Sequence, residues 1–248
     1  MYCTDAGLNF LDVIDFYINF VMILVGFFEA FGSAWAYDIV GQVKTQTAPV
    51  VYSFMAANFG AVILGCIVWY TAPADAAVWA GFVAFFSWYI VGVAITAYFA
   101  KGVVASSDGK WTMKSFFYEI YFGNIVKLRN EMQQVIGKVP FVWCLLMKHF
   151  IPHVLIILFV NLAQSEASPG VTQFGGYGGY PTNPYQVLGI IVVVFTLVIF
   201  VAGVIFPDLY APLALPQTEE AKKELEKYKS GATNEVVEEK AVVEEQAP

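Results

Sequence analysis

Long apolar runs constrain this sequence more than any other feature. Five runs of about 20 or more mostly apolar residues cover about 12–39, 49–71, 77–100, 139–163 and 186–206. No charged residue occurs between Lys44 and Asp75, between Asp75 and Lys101, or between Glu166 and Asp208. A helix needs ~20 such residues to cross the hydrocarbon core of a bilayer. The chain is therefore predicted to be an all-α integral membrane protein with about five transmembrane helices.

Composition and motifs exclude most other classes of protein. The sequence is 58% hydrophobic and 13% charged with a mean hydropathy of +0.64, which polar surface on a soluble domain would not cover. It has no phosphate-binding loop and no nucleophile elbow, and its two histidines, His149 and His153, lack a third metal ligand nearby. We expect no enzyme activity, no metal site, no cofactor in this chain and no nucleic-acid partner; the expected partner is the lipid bilayer.

The basic residues predict the orientation in the membrane. All 13 Lys and Arg residues lie between runs one and two, between runs three and four, early in run four, or after run five. Because cytoplasmic loops are enriched in Lys and Arg, the N-terminus is predicted to be outside and the C-terminus in the cytosol. The plasma membrane is the expected location.

The segments between and around the runs differ in character. Residues 1–11 are predicted to be an extracellular start, and 111–135 to be an amphipathic segment on the cytosolic face. The outer loop 164–185 is rich in Gly, Pro and Tyr, which favours turns. Ten of the 20 acidic residues fall in the tail 207–248, which is expected to be a cytosolic and disordered segment.

The carboxylates of the first run are the candidate functional residues. Glu29 lies among apolar residues about eighteen positions into its run, and an acid within a membrane helix faces protein or a water-filled cavity by default. A buried structural carboxyl and a functional one are equally consistent with this position. Asp12 and Asp15 lie one helical turn apart at the outer end, where solvated capping of a helix start is the simpler interpretation.

Two stretches resemble the sodium:neurotransmitter symporter family, which includes bacterial leucine transporters and monoamine, GABA and glycine carriers. The first stretch, similar to the family's tenth helix, is TDAGLNFLDVIDFYINFVMILVGFFEAFGSAWAYD. The second, similar to the end of the tenth and the eleventh helix, is GNIVKLRNEMQQVIGKVPFVWCLLMKHFIPHVLIILFVNL. The fifth run is similar to the twelfth helix. The resemblance covers roughly the last fourth of a typical member.

The resemblance implies a partial leucine-transporter-like fold and narrow residue roles. Asp15 matches an aspartate that forms the family's outer gate with an arginine of the first helix, and Glu29 matches a buried glutamate. The helices that bind substrate and Na+ are not in this chain, so Na+, with or without chloride, is expected only for the complete transporter. Asp38 replaces the family's usual glycine, and residues 49–100 are an insertion of unassigned role.

Two functions follow. The first is the C-terminal portion of a sodium-coupled symporter for a small amino acid or amine. The chain would then be a fragment, or a half that assembles with the missing N-terminal helices, and it is expected not to transport substrate alone. The second is a non-transporting membrane subunit derived from such a symporter that acts as a structural or interaction partner.

Overall fold

The computed structural model describes residues 5–206, and five of its helical segments are long and apolar enough to cross a membrane. These segments are Ala6–Gln46, Ala48–Thr71, Ala77–Ala105, Phe141–Gln164 and Thr182–Gly203. An all-α membrane protein with five candidate spans is therefore confirmed. The predicted tail 207–248 lies outside the described residues.

The helices differ in detail from the predicted runs. Their bounds are Asp5–Phe31 (α1), Ile39–Gln46 (α2), Ala48–Thr71 (α3), Ala77–Ala105 (α4), Met113–Tyr118 (α5), Asn124–Ile136 (α6), Phe141–Leu145 (α7), Ile151–Gln164 (α8), Gln173–Gly176 (α9) and Val187–Ile205 (α10). The first helix begins at Asp5 rather than near residue 12, so most of the predicted extracellular start is helical. Further along the same helix, Val13 and Tyr17 are buried in a core that includes Phe174, Tyr177 and Tyr180 of the loop 164–185.

Three π-helical turns interrupt the long helices. They are Gly32–Ala36 after α1, Glu119–Gly123 between α5 and α6, and Leu146–Phe150 between α7 and α8. A π turn holds one more residue than an α turn and is frequently found at functional sites. The segment 111–135 thus forms two helices joined by a π turn, and its apolar side packs into a core around Phe116, Ile120 and Ile125.

The loop 164–185 contains short elements rather than an extended coil. Two antiparallel strands, Glu166–Ser168 (β1) and Val171–Thr172 (β2), precede α9, a 3-10 turn at Tyr177–Gly179 and a further π turn at Thr182–Gln186. Turn-forming residues were expected here, and Gly175, Gly178 and Gly179 all have positive φ.

The described chain divides into two units. The larger consists of residues up to 130 and residues 140–197, and contains both apolar cores. The smaller consists of residues 131–139 and residues from 198 onward. Within it the side-chain amide of Gln133 donates a hydrogen bond to the carbonyl of Val139 at 3.4 Å.

Helices α3 and α4 form the closest helix pair of the larger unit. They approach through small residues: a Cβ placed on Gly81 would lie 3.1 Å from the carbonyl oxygen of Gly65. The hydroxyls of Ser53 and Thr96 lie 3.0 Å apart across the same interface. Small residues that allow backbones to approach are the usual basis of helix packing in lipid. The predicted insertion is therefore a tightly packed helical hairpin.

Gly92 tests this packing, because a Cβ at this position would lie 2.5 Å from the Cβ of Ala57. We predict that Gly92→Ala lowers the free energy of unfolding by about 1–3 kcal/mol through overpacking. Gly102→Ala in the same helix is the control, since a Cβ there meets no atom within 4 Å. Thermal unfolding in lipid nanodiscs measures both, and equal midpoints would contradict the close approach.

Candidate functional site

A buried lysine lies where the three π turns meet. Lys148, in the third π turn, is only 1% exposed. Its Nζ donates hydrogen bonds to the backbone carbonyl of Ile120 at 2.9 Å and to Oδ1 of Asn124 at 2.6 Å. A buried cation needs such oxygen partners, because transfer of an unpaired charge out of water is costly. This lysine is therefore held in place by groups from the second π turn and the start of α6.

The first π turn completes the same network. Nδ2 of Asn124 donates to the carbonyl of Ala34 at 2.6 Å, and Nε1 of Trp35 donates to the backbone carbonyl of Lys148 at 2.7 Å. The ammonium also lies 5.1 Å from the ring centre of Trp35, within the range of a cation–π interaction. We call Ala34, Trp35, Ile120, Asn124 and Lys148 the Lys148 network. All five are buried.

The network coincides with the three helix distortions. In each of these π turns one carbonyl, that of Ala34, Ile120 or Lys148, accepts a hydrogen bond from a side chain of another segment. For Lys148 the α-helical donor is missing, because Pro152, four residues later, has no N–H. The network is a structural hub that joins α1, α6 and α8.

The two histidines lie beside this hub. Nε2 of His149 is 3.0 Å from the carbonyl of Tyr121, and the ring of His153 stacks on Phe59 with centres 5.4 Å apart. Within residues 5–206 no group of three or more His, Cys, Asp or Glu side chains is arranged to hold a metal. The arrangement is a packed aromatic cluster.

A second cluster joins the first half of α1 to the loop 164–185. The buried hydroxyl of Tyr17 donates to Oε1 of Gln186 at 2.9 Å and accepts from the amide of Gly175 at 2.7 Å. The carboxylate of Asp12 accepts from the hydroxyls of Tyr177 at 3.3 Å and Tyr180 at 2.7 Å. These five residues, Asp12, Tyr17, Tyr177, Tyr180 and Gln186, form what we call the tyrosine cluster.

The tyrosine cluster corrects the interpretation of Asp12 as a solvated helix cap. Asp12 lies well inside α1, which begins at Asp5, so it caps nothing and instead bonds to the loop. The hydrogen bond to Asp12 raises the pKa of Tyr180 above its ordinary value. The pKa of Tyr177 is also raised, first by partial burial and then by the charge of Asp12.

Asp15 and Glu29 lie on an exposed stripe that runs along α1, and the charge of Asp15 is close enough to act on Tyr177 of the tyrosine cluster. Exposed residues recur there at alternating steps of three and four, and we call this stripe the α1 seam. Its members are Leu8, Leu11, Asp15, Ile18, Met22, Val25, Glu29 and Gly32. The opposite side of α1, with Val13, Tyr17, Phe20, Ala30 and Ala34, is buried.

Glu29 is therefore not the buried carboxylate that its position in the run predicted. Its side chain is exposed on the α1 seam, because the helices that pack on α1 in this chain all contact the other side. Asp15 is exposed in the same register, two heptads earlier. Its carboxylate accepts no hydrogen bond from any other residue that the structure describes.

The sequence does not predict the Lys148 network or the partners of Asp12. Lys148 is one of the basic residues from which the orientation is predicted. Its place inside an apolar run was the available signal, because an intramembrane cation requires partners. Nothing in the spacing of Ala34, Asn124 and Lys148 indicates that they meet.

Comparison with protein-family models, with curated proteins and with solved structures finds no match to this chain. The resemblance to the sodium:neurotransmitter symporters therefore depends on the residues quoted above.

The Lys148 network predicts a large difference between two lysines. Lys148→Met leaves the Ile120 carbonyl and Asn124 Oδ1 without their donor, and each unpaired buried group costs about 1–3 kcal/mol of unfolding free energy. Lys127→Met is the control: its ion pair with Asp38, 2.7 Å long, is partly exposed and contributes below about 1 kcal/mol. Unfolding in detergent micelles measures both, and equal losses would argue against a structural hub.

The tyrosine cluster predicts a pH effect. Because the folded pKa of Tyr180 is raised, its bond to Asp12 stabilises the fold below about pH 10, and this stability is lost as pH rises through the folded pKa. Asp12→Asn should return the pKa of Tyr180 toward its ordinary value, whereas Asp15→Asn should change it little. Tyrosinate absorbance during a pH titration reports this, and an unchanged curve for Asp12→Asn would contradict the assignment.

Proposed function

We propose that this chain is the C-terminal portion of a sodium-coupled symporter for a small amino acid or amine, and that its α1 seam packs against the remaining helices of that transporter. The observation that carries the proposal is the position of two carboxylates on an exposed face of a membrane helix.

The spacing of these carboxylates makes contact with lipid alone unfavourable. Asp15 and Glu29 are 14 residues apart, which corresponds to about 21 Å along a helix at ~1.5 Å per residue. The hydrocarbon core is about 30 Å thick, which is more than the distance between the two carboxylates. They therefore cannot lie at opposite interfaces, and a helix that crosses the core between them has at least one of them within the core. An acid at the centre of a membrane helix costs roughly 2.5–3.5 kcal/mol on insertion scales. Partner helices that supply basic or hydrogen-bond donor groups would remove this cost.

The contacts across the insertion support the proposal further. The two stretches that resemble the symporter family contact each other directly through Trp35 with Lys148, Ala34 with Asn124, and Asp38 with Lys127. The hairpin of α3 and α4 lies between them in sequence without separating them in space. Direct contact between the two stretches is expected if a helical pair was added to the core of a family member without disrupting that core.

Asp38 is consistent with the same interpretation. It has φ +54°, in the left-handed region, where the family's usual residue, glycine, has no steric penalty. Aspartate is among the few other residues that adopt this conformation. The departure from the family pattern therefore keeps the backbone geometry that the glycine would allow.

In this proposal Asp15 closes the outer gate with a basic residue from the missing helices. The proposed orientation follows from the basic residues, with the tyrosine cluster outside and the Lys148 network at the cytosolic end. The proposed location is the plasma membrane, which is usual for the family that the chain resembles. The sodium that drives transport, with or without a cotransported chloride, binds to the complete transporter rather than to this chain. A non-transporting subunit would use the same α1 seam to hold its partner, and transport assays separate the two.

The α1 seam predicts that one substitution has opposite effects in two contexts. In the isolated chain in nanodiscs, Glu29→Leu removes a carboxylate that faces lipid, and we expect its unfolding free energy to rise by about 2–3 kcal/mol. In the completed transporter the same change removes a partnered group, and we expect sodium-driven uptake to fall at least tenfold. Met22→Leu, on the same seam, should change neither quantity.

Proteoliposomes with an imposed Na+ gradient provide the functional measurement. The isolated chain should accumulate no amino acid or amine, and the chain completed by its N-terminal helices should accumulate one. No uptake by the completed assembly would overturn the symporter proposal in favour of the subunit. A second outcome would show that the α1 seam is not a contact surface. In that outcome Glu29→Leu leaves uptake by the completed transporter unchanged and destabilises the isolated chain.

A further inference from the structure

A small buried cavity lies beside the ammonium of Lys148. Its volume is about 10 Å³, and its walls include Trp35, Phe54, Gln42, Gln46 and Lys148. A cavity of roughly this size holds a single water-sized particle. It is formed within the larger unit, at the corner where α2 ends and α3 begins. The cavity is distinct from the α1 seam, and no residue of the proposed gate contributes to it.

Unpartnered polar atoms line this cavity. The side chain of Gln46 is 1% exposed, yet neither its Nε2 nor its Oε1 has a hydrogen-bond partner within residues 5–206. Nε2 of Gln42, on the preceding turn of α2, is also buried without a partner there. A buried amide without partners is costly, and several at one place indicate a bound group that satisfies them.

The charges around the cavity select the class of ligand. Nζ of Lys148 is a hydrogen-bond donor, and the two groups that accept from it, the Ile120 carbonyl and Asn124 Oδ1, are neutral. The carboxylate of Glu119 lies against Gly123, where a Cβ would come within 2.3 Å of its Oε1. The donors Nζ of Lys148 and Nε2 of Gln42 and Gln46 outnumber the one unpartnered acceptor, Oε1 of Gln46, so the cavity fits an anion rather than a metal cation. Rotation about the terminal bond of Gln46 chooses which of its atoms faces the ligand.

We propose that this cavity binds one monatomic anion of halide size, held by Lys148, Gln42 and Gln46. Its size excludes carboxylates and phosphate, whose several heavy atoms need a larger volume. The ion neutralises the buried ammonium and joins α2 to the Lys148 network, so it contributes to folding of this chain. This inference does not depend on the proposed transport function, since every residue involved is in this chain.

Chloride is the probe, and the full chain in nanodiscs is the sample. At constant ionic strength, replacing gluconate by chloride should raise the unfolding midpoint in a saturable way, by about 2–4 °C near saturation. Gln46→Leu removes two polar atoms from the cavity wall and should abolish the chloride dependence. Gln164→Leu, at an exposed position at the end of α8, is the control and should retain it.

A charge replacement keeps the test informative if Gln46→Leu does not fold. Gln46→Glu places a carboxylate beside Lys148, and the variant should reach the chloride-bound stability in gluconate and bind no radiolabelled chloride. Equal midpoints of the unaltered chain in chloride and gluconate would mean that the cavity holds only water, which overturns the proposal. Chloride dependence that persists in both Gln46 variants would place the ion elsewhere and overturn it equally.

Discussion

The buried ammonium of Lys148 is the interaction on which the rest of this structure depends. A cation within a membrane segment must find oxygen partners inside the protein, and it finds them on the second π turn and on Asn124. Asn124 and Trp35 then extend the same hydrogen-bond network to the first π turn. The helix distortions and the lysine are therefore found together: one carbonyl in each of these π turns accepts from a side-chain donor of the network.

The two ends of the molecule are held by different chemistry. At the Lys148 network, the polar groups are buried beside the rings of Trp35 and Phe54, and low local dielectric strengthens each hydrogen bond. At the tyrosine cluster, Asp12 is exposed and its bonds to Tyr177 and Tyr180 compete with water. We therefore expect the first arrangement to be the more stable of the two.

Between these ends the surface of the helices is largely apolar, as lipid requires. The α1 seam departs from this pattern, since Asp15 and Glu29 interrupt an otherwise apolar stripe that includes Met22, which is 67% exposed. Charge on such a stripe is the physical basis for expecting further helices against it. In the hairpin, by contrast, α3 and α4 pack on each other through glycine and alanine contacts, and the exposed side of α4 is apolar.

The sequence by itself determined the class of the protein, because hydrophobic runs of bilayer length permit little besides membrane helices. It also indicated that 164–185 forms turns, since glycine and proline restrict the backbone locally. Only the tertiary structure decided which polar residues meet. Asn124 and Lys148 are far from Ala34 in sequence, and no local rule brings them together. The exposure of Glu29 was also decided by the tertiary structure. Helical periodicity shows only that Glu29 shares a face of α1 with Asp15. The packing of the other helices decides that this face is left uncovered.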